Sequence, residues 1–315
     1  SNKQLLTRIY SWFYFSINLG AVGSQLLTPF LLNDPRFGPA WAFGVPGVLM
    51  AIATFLFWLG RKSFIHVPAA GPDFWKETFS TDGLRALANL TPLLLFVAMF
   101  WSLFDQTASA WVLQAEKLEL TLPLVNWSVT PSQMQATNGL FVLTLVPLFS
   151  LVVYPAIDRF LRVTPLRKIG TGLFVAAASF AISALIEERI QAGETPNVGW
   201  QIPAYLVLTA AEVMVSITML EFFYTQSPRR MKSIVMAFCM LSISLGNVFT
   251  GVVNTYIERE DGTVLLPGAS YYWFFSGAML LVAVLYLFWA PFYRGRSYIQ
   301  GDDILEAETK VEEHR

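Results

Sequence analysis

Eight apolar segments of about 20 residues or more constrain the fold of this chain more than any other feature of its sequence. A helix rises about 1.5 Å per residue, so about 20 apolar residues cross the ~30 Å hydrocarbon core of a bilayer. Charged or turn-forming residues such as Asn33-Asp34-Pro35 separate the segments. The pattern predicts an all-α membrane protein that contacts the lipid bilayer, with spans at residues 9–32, 41–60, 91–115, 136–157, 168–188, 202–226, 233–257 and 270–292.

The composition excludes several other classes of protein. Hydrophobic residues make up 55% of the chain and charged residues 14%, well below the ~25% of a soluble domain. The net charge of −1 favours no nucleic acid partner. Cys239 is the only cysteine, so no intrachain disulfide and no cysteine metal cluster is possible. Neither His66 nor His314 is placed for a zinc site or a catalytic triad, which leaves a membrane-embedded enzyme as a remote alternative.

The basic residues predict the orientation in the membrane. Of the 21 Lys and Arg residues, 17 lie at the two chain ends and in one set of alternate loops. The positive-inside rule therefore places both ends in the cytoplasm, and an even number of spans agrees with both ends lying on the same side. The other set of loops carries only four: Arg36, Lys117, Arg189 and Arg259.

Two carboxylates lie deep inside predicted spans. A charge at the bilayer centre costs about 3 kcal/mol on insertion scales, so such residues usually form a partner contact or perform a function. Asp105 falls in the outer half of its span, one turn after Trp101, and Glu212 falls close to the middle of its own, one turn before Ser216. A structural ion pair is the alternative for either carboxylate. Glu221 lies near the cytoplasmic end of the same span as Glu212 and on the opposite face.

Other polar and small residues in the spans fall into two groups. Tyr14 and Asn18 are four residues apart and share one helix face, and Asn138 lies near the outer start of the fourth span. An amide or hydroxyl in a membrane helix often only joins helices, so packing is the alternative for each of them and for Ser216. A stripe of small residues at four-residue spacing predicts close helix packing: Ser242, Gly246 and Thr250.

Several runs of residues resemble a known family. FYFSINLG at 13–20 resembles the FYxxINxG signature of the proton-dependent oligopeptide transporters (POT/PTR family), which belong to the major facilitator superfamily. FWSLFDQ at 100–106 is similar to that family's seventh helix. Four further matches continue in the same order along the chain: TAAEVMVS at 209–216, LEFFYTQSP at 220–228, MKS at 231–233 and Gly246-Asn247.

The resemblance implies a partial major facilitator fold, with eight helices that correspond to helices five to twelve of twelve. No run here resembles the ExxER motif of that family's first helix, so we expect N-terminal helices that are missing from this chain to be needed for function. The implied divisions are the last two helices of the N-terminal bundle at 1–60, a cytoplasmic linker at 61–90, a C-terminal six-helix bundle at 91–293 and a cytoplasmic tail at 294–315.

The resemblance also implies roles for the polar residues. Asp105 is expected to couple transport to protons, paired with an arginine of the missing first helix. Glu212 is expected to bind the amino terminus of a peptide substrate. The other implied substrate-binding residues are Tyr14, Asn18, Trp101, Asn138 and Ser216. Two positions depart from the family pattern, because Cys239 replaces a cavity Trp and Gly139 replaces a common Pro.

The implied function is proton-coupled symport of di- and tripeptides into the cytoplasm by alternating access, in the plasma membrane, which for a bacterium is the inner membrane. Protons are the coupling ion, and no cofactor or metal is expected. A transporter of another small nitrogenous solute or of an anion, built on the same fold, is the alternative.

Overall fold

Ten helices and one short hairpin form the part of the chain that the structure describes. The computed structural model describes residues 2–64, 71, 76, 78–122, 127–227, 231–257 and 264–293, with the side chains described from residue 16 onward. The predicted tail at 294–315 and the side chain of Tyr14 lie outside this description. The α-helices are α1 Asn2–Asn33, α2 Pro39–Gly60, α3 Thr81–Phe104, α4 Ala110–Ala115, α5 Ala136–Leu148, α6 Tyr154–Asp158, α7 Pro165–Gln191, α8 Gln201–Thr225, α9 Lys232–Ile257 and α10 Ala269–Trp289.

Short irregular helices join these elements into longer rods. Turns of 3₁₀ helix lie at Asp105–Ala108, Pro131–Gln135, Val198–Trp200 and Ala290–Phe292, and a π-helix lies at Phe149–Val153. The hairpin pairs strand β1, Thr121–Leu122, antiparallel with β2, Trp127–Ser128.

The helices have the length and apolarity of membrane spans. Among the described residues, seven segments are long and apolar enough to cross a bilayer, the longest of them Thr81–Ala115. Helix α1 is not among the seven, but its 32 residues extend about 48 Å, which also exceeds the hydrocarbon thickness. The prediction of an all-α membrane protein is confirmed.

Two predicted spans differ from the structure in detail. Helix α3 begins at Thr81, where the Ser80 hydroxyl accepts from the Gly83 N–H, and not at residue 91. Its first ten residues are only partly apolar, so hydropathy does not reveal them. The predicted span at 136–157 is not one regular helix, because the Pro155 ring clashes with the carbonyl four residues before it, inside the π-helix at 149–153.

The core lies in the second half of the chain. Helix α7 packs between α8 and α10, and α3 packs along α9. The close approach of α7 to α8 depends on Gly172, because an added Cβ there would lie 2.5 Å from Val215 Cγ2. Helix α2, in contrast, buries only Ala42, and its exposed apolar side chains require lipid or further protein around them.

The turn between α1 and α2 is held by a local ion pair. The Arg36 guanidinium donates to both carboxylate oxygens of Asp34, each at 3.2 Å. This hydrogen bonding by Arg36 holds the pKa of Asp34 below its ordinary value. The pair orders the exposed turn that reverses the chain between the first two long helices.

Candidate functional site

A hydrogen-bonded triad joins α5 to α8. Thr209 and Glu212 are three residues apart on α8 and share one face. Asn138 lies in the first turn of α5, opposite that face. Its Nδ2 donates to Glu212 Oε2 at 2.8 Å and to Thr209 Oγ1 at 3.0 Å. The side chains of Asn138 and Glu212 are partly buried, whereas that of Thr209 is fully buried.

The direction of each hydrogen bond in this triad is fixed. The Thr209 hydroxyl donates to the Tyr205 carbonyl at 2.7 Å, so its oxygen can only accept from Asn138. The amide of Asn138 therefore uses its nitrogen for both bonds and offers only Oδ1 to a further partner. The result is an oriented carboxylate, partly exposed, which is suited to bind a cation or a group with several N–H donors.

The close approach of α1 to α5 brings Asn18 near this triad. Gly139 makes this approach possible, because an added Cβ there would lie 2.5 Å from Val22 Cγ2 and 3.8 Å from the Asn18 carbonyl oxygen. Glycine at position 139 therefore has a packing role. Asn18 is partly buried on the same stretch of α1, and Ser216 lies one turn beyond Glu212 on α8.

The second carboxylate lies at a break in a membrane helix. Helix α3 ends at Phe104, Asp105 begins a 3₁₀ turn, and Ser109 interrupts the helix before α4 starts. Asp105 Oδ2 accepts from Asn247 Nδ2 on α9 at 2.6 Å. Discontinuous membrane helices are common at ion and substrate sites of transporters. The sequence analysis placed Asp105 in the correct membrane span but predicted one continuous helix there, without the break at Asp105–Ser109.

Trp101 and Asp105 lie beside the seam between α3 and α9. At Gly246 an added Cβ would lie 2.7 Å from the Ser102 amide nitrogen and 3.1 Å from Trp101 Cβ. One turn further, Ser102 Oγ and Thr250 Oγ1 are 2.7 Å apart. The predicted close packing of the small-residue stripe is confirmed for Gly246 and Thr250 against α3, whereas Ser242 contacts Met219 of α8. The seam holds Asn247 within reach of Asp105.

The predicted residues whose contacts the structure gives lie in two separate clusters. Asn138 and Glu212 meet between α5 and α8, whereas Asp105 lies against α9, one turn after Trp101 in sequence. Sequence reasoning missed Thr209 and Asn247. Thr209 lies one turn before Glu212, so a search for polar neighbours at helical spacing identifies it. Asn247 stands out only as an amide inside an apolar span, and nothing in the sequence pairs it with Asp105.

A third buried carboxylate was also missed. Glu187 lies in α7 with only 2% of its side chain exposed, and its Oε1 accepts from Lys117 Nζ at 2.8 Å. Gln114 Nε2 donates to Glu187 Oε2 at 2.9 Å and to the Ser183 carbonyl at 3.0 Å. This cluster is a structural ion pair that ties the end of α4 to α7. Glu187 lies four residues before the end of α7, where the cost of a charge is lower than at mid-span, so intramembrane charge marks it less clearly than Glu212.

Among the described residues, no group of three or more His, Cys, Asp or Glu side chains is placed to hold a metal ion. Cys239 is fully buried in the hydrophobic core. Its thiol therefore does not line an open cavity.

Comparison with known proteins agrees with this architecture. The sequence profile PTR2, described as the POT family, matches residues 1–81 and 73–274. Peptide transporter 3 of Caenorhabditis elegans is 33% identical over 227 residues, which are 60% of this chain and 32% of that protein. Solute carrier family 15 member 2 of Oryctolagus cuniculus is 33% identical over 253 residues, which are 68% of this chain and 34% of that protein.

The fold is shared with solved structures of the same family. The crystal structure of an auto-inhibited POT family peptide transporter aligns with a TM-score of 0.81 and 29% identity, over 95% of this chain and 73% of that one. The chain spans about a third of the length of the curated relatives it matches. These relatives are transporters, which confirms the prediction that the chain is not an enzyme. With its helices in the major facilitator arrangement and the family profile matched along most of its length, the chain belongs to the POT family.

Proposed function

We propose that the complete protein containing this chain is a proton-coupled symporter of di- and tripeptides that works by alternating access. The observation that carries this proposal is the oriented carboxylate of Glu212, held by Asn138 between α5 and α8. Glu212 lies eleven residues after the start of α8, or about 16 Å along it, near mid-membrane. Transporters of this kind bind substrate near the bilayer midplane.

The amino terminus of a peptide is the group that best fits Glu212. An ammonium donating to a carboxylate forms a charge-assisted hydrogen bond, worth about 1.5–3 kcal/mol. Asn138 Oδ1 can accept a further ammonium proton, since the amide nitrogen already donates to Glu212 and Thr209. We assign Ser216 and Asn18 to the same cavity, together with Tyr14 and Trp101. The substrate carboxylate then needs basic residues from outside this chain.

Asp105 is our candidate for proton coupling. It lies at a helix break, partly exposed, with Asn247 as its hydrogen-bond donor. Protonation removes the negative charge of Asp105 and converts one carboxylate oxygen from an acceptor into a donor. The hydrogen bond between Asp105 and Asn247 then weakens. This change loosens α3 from α9 in the outer half of the membrane, where Asp105 lies. In the complete protein we expect an arginine of a preceding helix to compete for the same carboxylate.

The proposed arrangement places residues 1–60 in an N-terminal bundle and, because α3 begins at Thr81, residues 81–293 in a C-terminal bundle. The linker then shortens from the predicted 61–90 to 61–80, and a tail follows at 294–315. Both chain ends then lie in the cytoplasm, and the protein lies in the plasma membrane, the inner membrane if the source is a bacterium. Helices preceding residue 1 complete the N-terminal bundle. Protons are the only coupling species, and no cofactor takes part.

Reconstituted liposomes test the substrate site. We expect Glu212→Gln in the complete protein to raise the apparent KM for a dipeptide at least tenfold, which corresponds to about 1.4 kcal/mol. Glu221→Gln is the matched control, because Glu221 is an exposed carboxylate on the same helix. Equal uptake by Glu212→Gln and the unmodified protein would remove Glu212 from the substrate site.

The same liposomes test proton coupling and the nature of the substrate. Asp105→Asn should abolish uphill peptide uptake driven by a proton gradient while exchange of labelled for unlabelled peptide continues. Unchanged uphill uptake in Asp105→Asn contradicts the coupling role. A competition panel of dipeptides, amino acids and inorganic anions separates peptide transport from transport of another nitrogenous solute or an anion.

A further inference from the structure

A groove between α7 and α10 lies apart from both carboxylate clusters. It has a volume of about 780 Å³ and lies at the end of the bundle where α7 begins. Its mouth, where α7 begins, carries Thr164 and Arg167 beside the apolar Leu161, and its walls include Phe174 and the half-exposed Leu287. A groove with one charged end and apolar walls matches the shape of a phospholipid and not that of a peptide.

The height of the groove matches one leaflet of a bilayer. Its lining along α7 runs from Thr164, the residue before the helix, to Ala178, fourteen positions later or about 21 Å along the helix axis. Half of a bilayer, counted with its headgroups, is about 20–22 Å thick. With the charged mouth at headgroup level, the apolar walls extend over the acyl region of that leaflet.

The floor of the groove is held in a fixed shape. Tyr286 is fully buried there, and its hydroxyl donates to the Leu166 carbonyl at 2.9 Å. At Gly170 an added Cβ would lie 2.8 Å from the Tyr286 ring, so only a glycine lets the two helices approach this closely. The groove is therefore formed before any ligand enters.

Arg167 supplies the charge at the mouth. One nitrogen of its guanidinium donates to the Arg162 carbonyl at 2.8 Å, which fixes the side chain in place. A guanidinium has five N–H donors in a planar fork that matches a phosphate. Because this hydrogen bond uses only one of the five, Arg167 can still hold a phosphate in the same position.

The loop before α7 has the character of a membrane interface. Arg159 and Arg162 flank Phe160, which is 92% exposed, and Leu161, which is 56% exposed. Exposed apolar side chains between arginines are typical of a segment at the headgroup boundary. Residues 158–168 contain four basic residues and one acidic residue, a net charge of +3.

Lys168, the next residue along α7, faces a different environment. Its Nζ lies 4.1 Å from the centre of the Tyr154 ring. There it lines a separate cavity together with the carboxylates of Asp158 and Glu221. Asp158 also accepts from the Val163 N–H at 2.7 Å, so its charge is turned toward the loop backbone. The basic group that remains at the groove is Arg167.

We propose that this groove binds one anionic phospholipid, with the phosphate at Arg167 and an acyl chain between α7 and α10. This lipid proposal is independent of the proposed transport function, because the groove contains none of the residues assigned to substrate or proton binding. It distinguishes an anionic from a zwitterionic headgroup because the latter brings its own ammonium, which Arg167 repels.

Native mass spectrometry of the complete protein tests this site. Phosphatidylglycerol and phosphatidylcholine with identical acyl chains are added to the protein in detergent, and the retained lipid is counted. We expect a several-fold preference for phosphatidylglycerol, reduced at least threefold by Arg167→Gln, largely kept in Arg167→Lys and unchanged in Lys168→Gln. Equal losses in Arg167→Gln and Lys168→Gln would indicate general surface charge and overturn the proposal, as would equal retention of both lipids.

A second pair of variants tests the apolar part of the groove. Ala178→Trp fills the groove and should lower phosphatidylglycerol retention, whereas Leu185→Trp, an exposed position two turns further along α7, should not. Retention that is unaffected by Ala178→Trp contradicts binding of an acyl chain here. Displacement of the lipid by glycerol 3-phosphate at equal concentration would mean that a free phosphate suffices, and would overturn the lipid assignment.

Discussion

Asn138 and Glu212 meet between two helices, with Asn138 Nδ2 donating to Glu212 Oε2 at 2.8 Å. The same nitrogen donates to Thr209 Oγ1, whose own proton is committed to the Tyr205 carbonyl. One buried hydroxyl therefore orients the amide, and the amide orients the carboxylate. The geometry of the proposed substrate site depends on Thr209, which makes no contact with solvent.

Replacement of Thr209 by Val tests this dependence. Val has nearly the shape of Thr but cannot accept from Asn138, so the amide loses one of its two anchors. We expect the apparent KM for a dipeptide to rise about three- to tenfold in liposome uptake, or about 0.6–1.4 kcal/mol, with normal amounts of folded protein. Thr144→Val is the control, because Thr144 lies on α5 and bonds only to carbonyls of its own helix. An unchanged KM in Thr209→Val would contradict a positioning role.

Asn247 is predicted to act through Asp105. In Asn247→Leu the carboxylate loses its donor on α9, so we expect peptide-driven proton uptake to fall at least threefold while peptide exchange continues. Asn254→Leu is the matched control, since Asn254 lies two turns further along α9 and accepts from the Tyr271 hydroxyl instead. A parallel loss of exchange in Asn247→Leu would show that the amide supports the fold and not the proton step.

The sequence predicts the positions of the helices better than it predicts their breaks and the side-chain contacts between them. Long apolar runs identify membrane spans because the bilayer imposes a length, and intramembrane charge identifies Asp105 and Glu212 because of its cost. The breaks at Asp105 and at the π-helix depend on local backbone contacts that hydropathy does not register. The pairing of Asp105 with Asn247 joins residues 142 positions apart, so only the packed structure reveals it.

Gly246 and Gly251 provide a paired test of the seam between α3 and α9. At Gly246 an added Cβ would contact the Ala98 carbonyl oxygen and the Ser102 amide nitrogen, which are backbone atoms that cannot rotate away. We expect Gly246→Ala to destabilise the protein by about 1–3 kcal/mol in thermal unfolding in detergent. Gly251→Ala should be neutral or stabilising, because no atom lies within 4 Å of its added Cβ. Similar unfolding of the two variants would mean that the seam tolerates a methyl group.

The ion pair between Lys117 and Glu187 is predicted to act as one unit. Lys117→Met leaves the buried Glu187 with Gln114 as its remaining donor, so we expect a loss of about 1–3 kcal/mol. This expected loss of unfolding free energy is smaller than the 3–5 kcal/mol for breaking a fully buried ion pair, because the Lys117 side chain is 52% exposed. Adding Glu187→Gln should restore part of the loss, since no charge then remains unpaired. The exposed pair of Asp82 and Arg85 is the control, and Arg85→Met should change stability little.

Cysteine labelling checks the proposed orientation of the helices. Cys239 is fully buried, so the folded protein should react slowly with a membrane-impermeant maleimide and provides a low background. A cysteine introduced by Glu194→Cys, in the exposed loop between α7 and α8, should be labelled in intact cells. A cysteine introduced by Arg159→Cys, at the opposite end of α7, should be labelled only after the membrane is permeabilised, because its loop carries the positive charges. The reverse pattern would place both chain ends outside the cell, and the anionic-lipid groove would then face the outer leaflet.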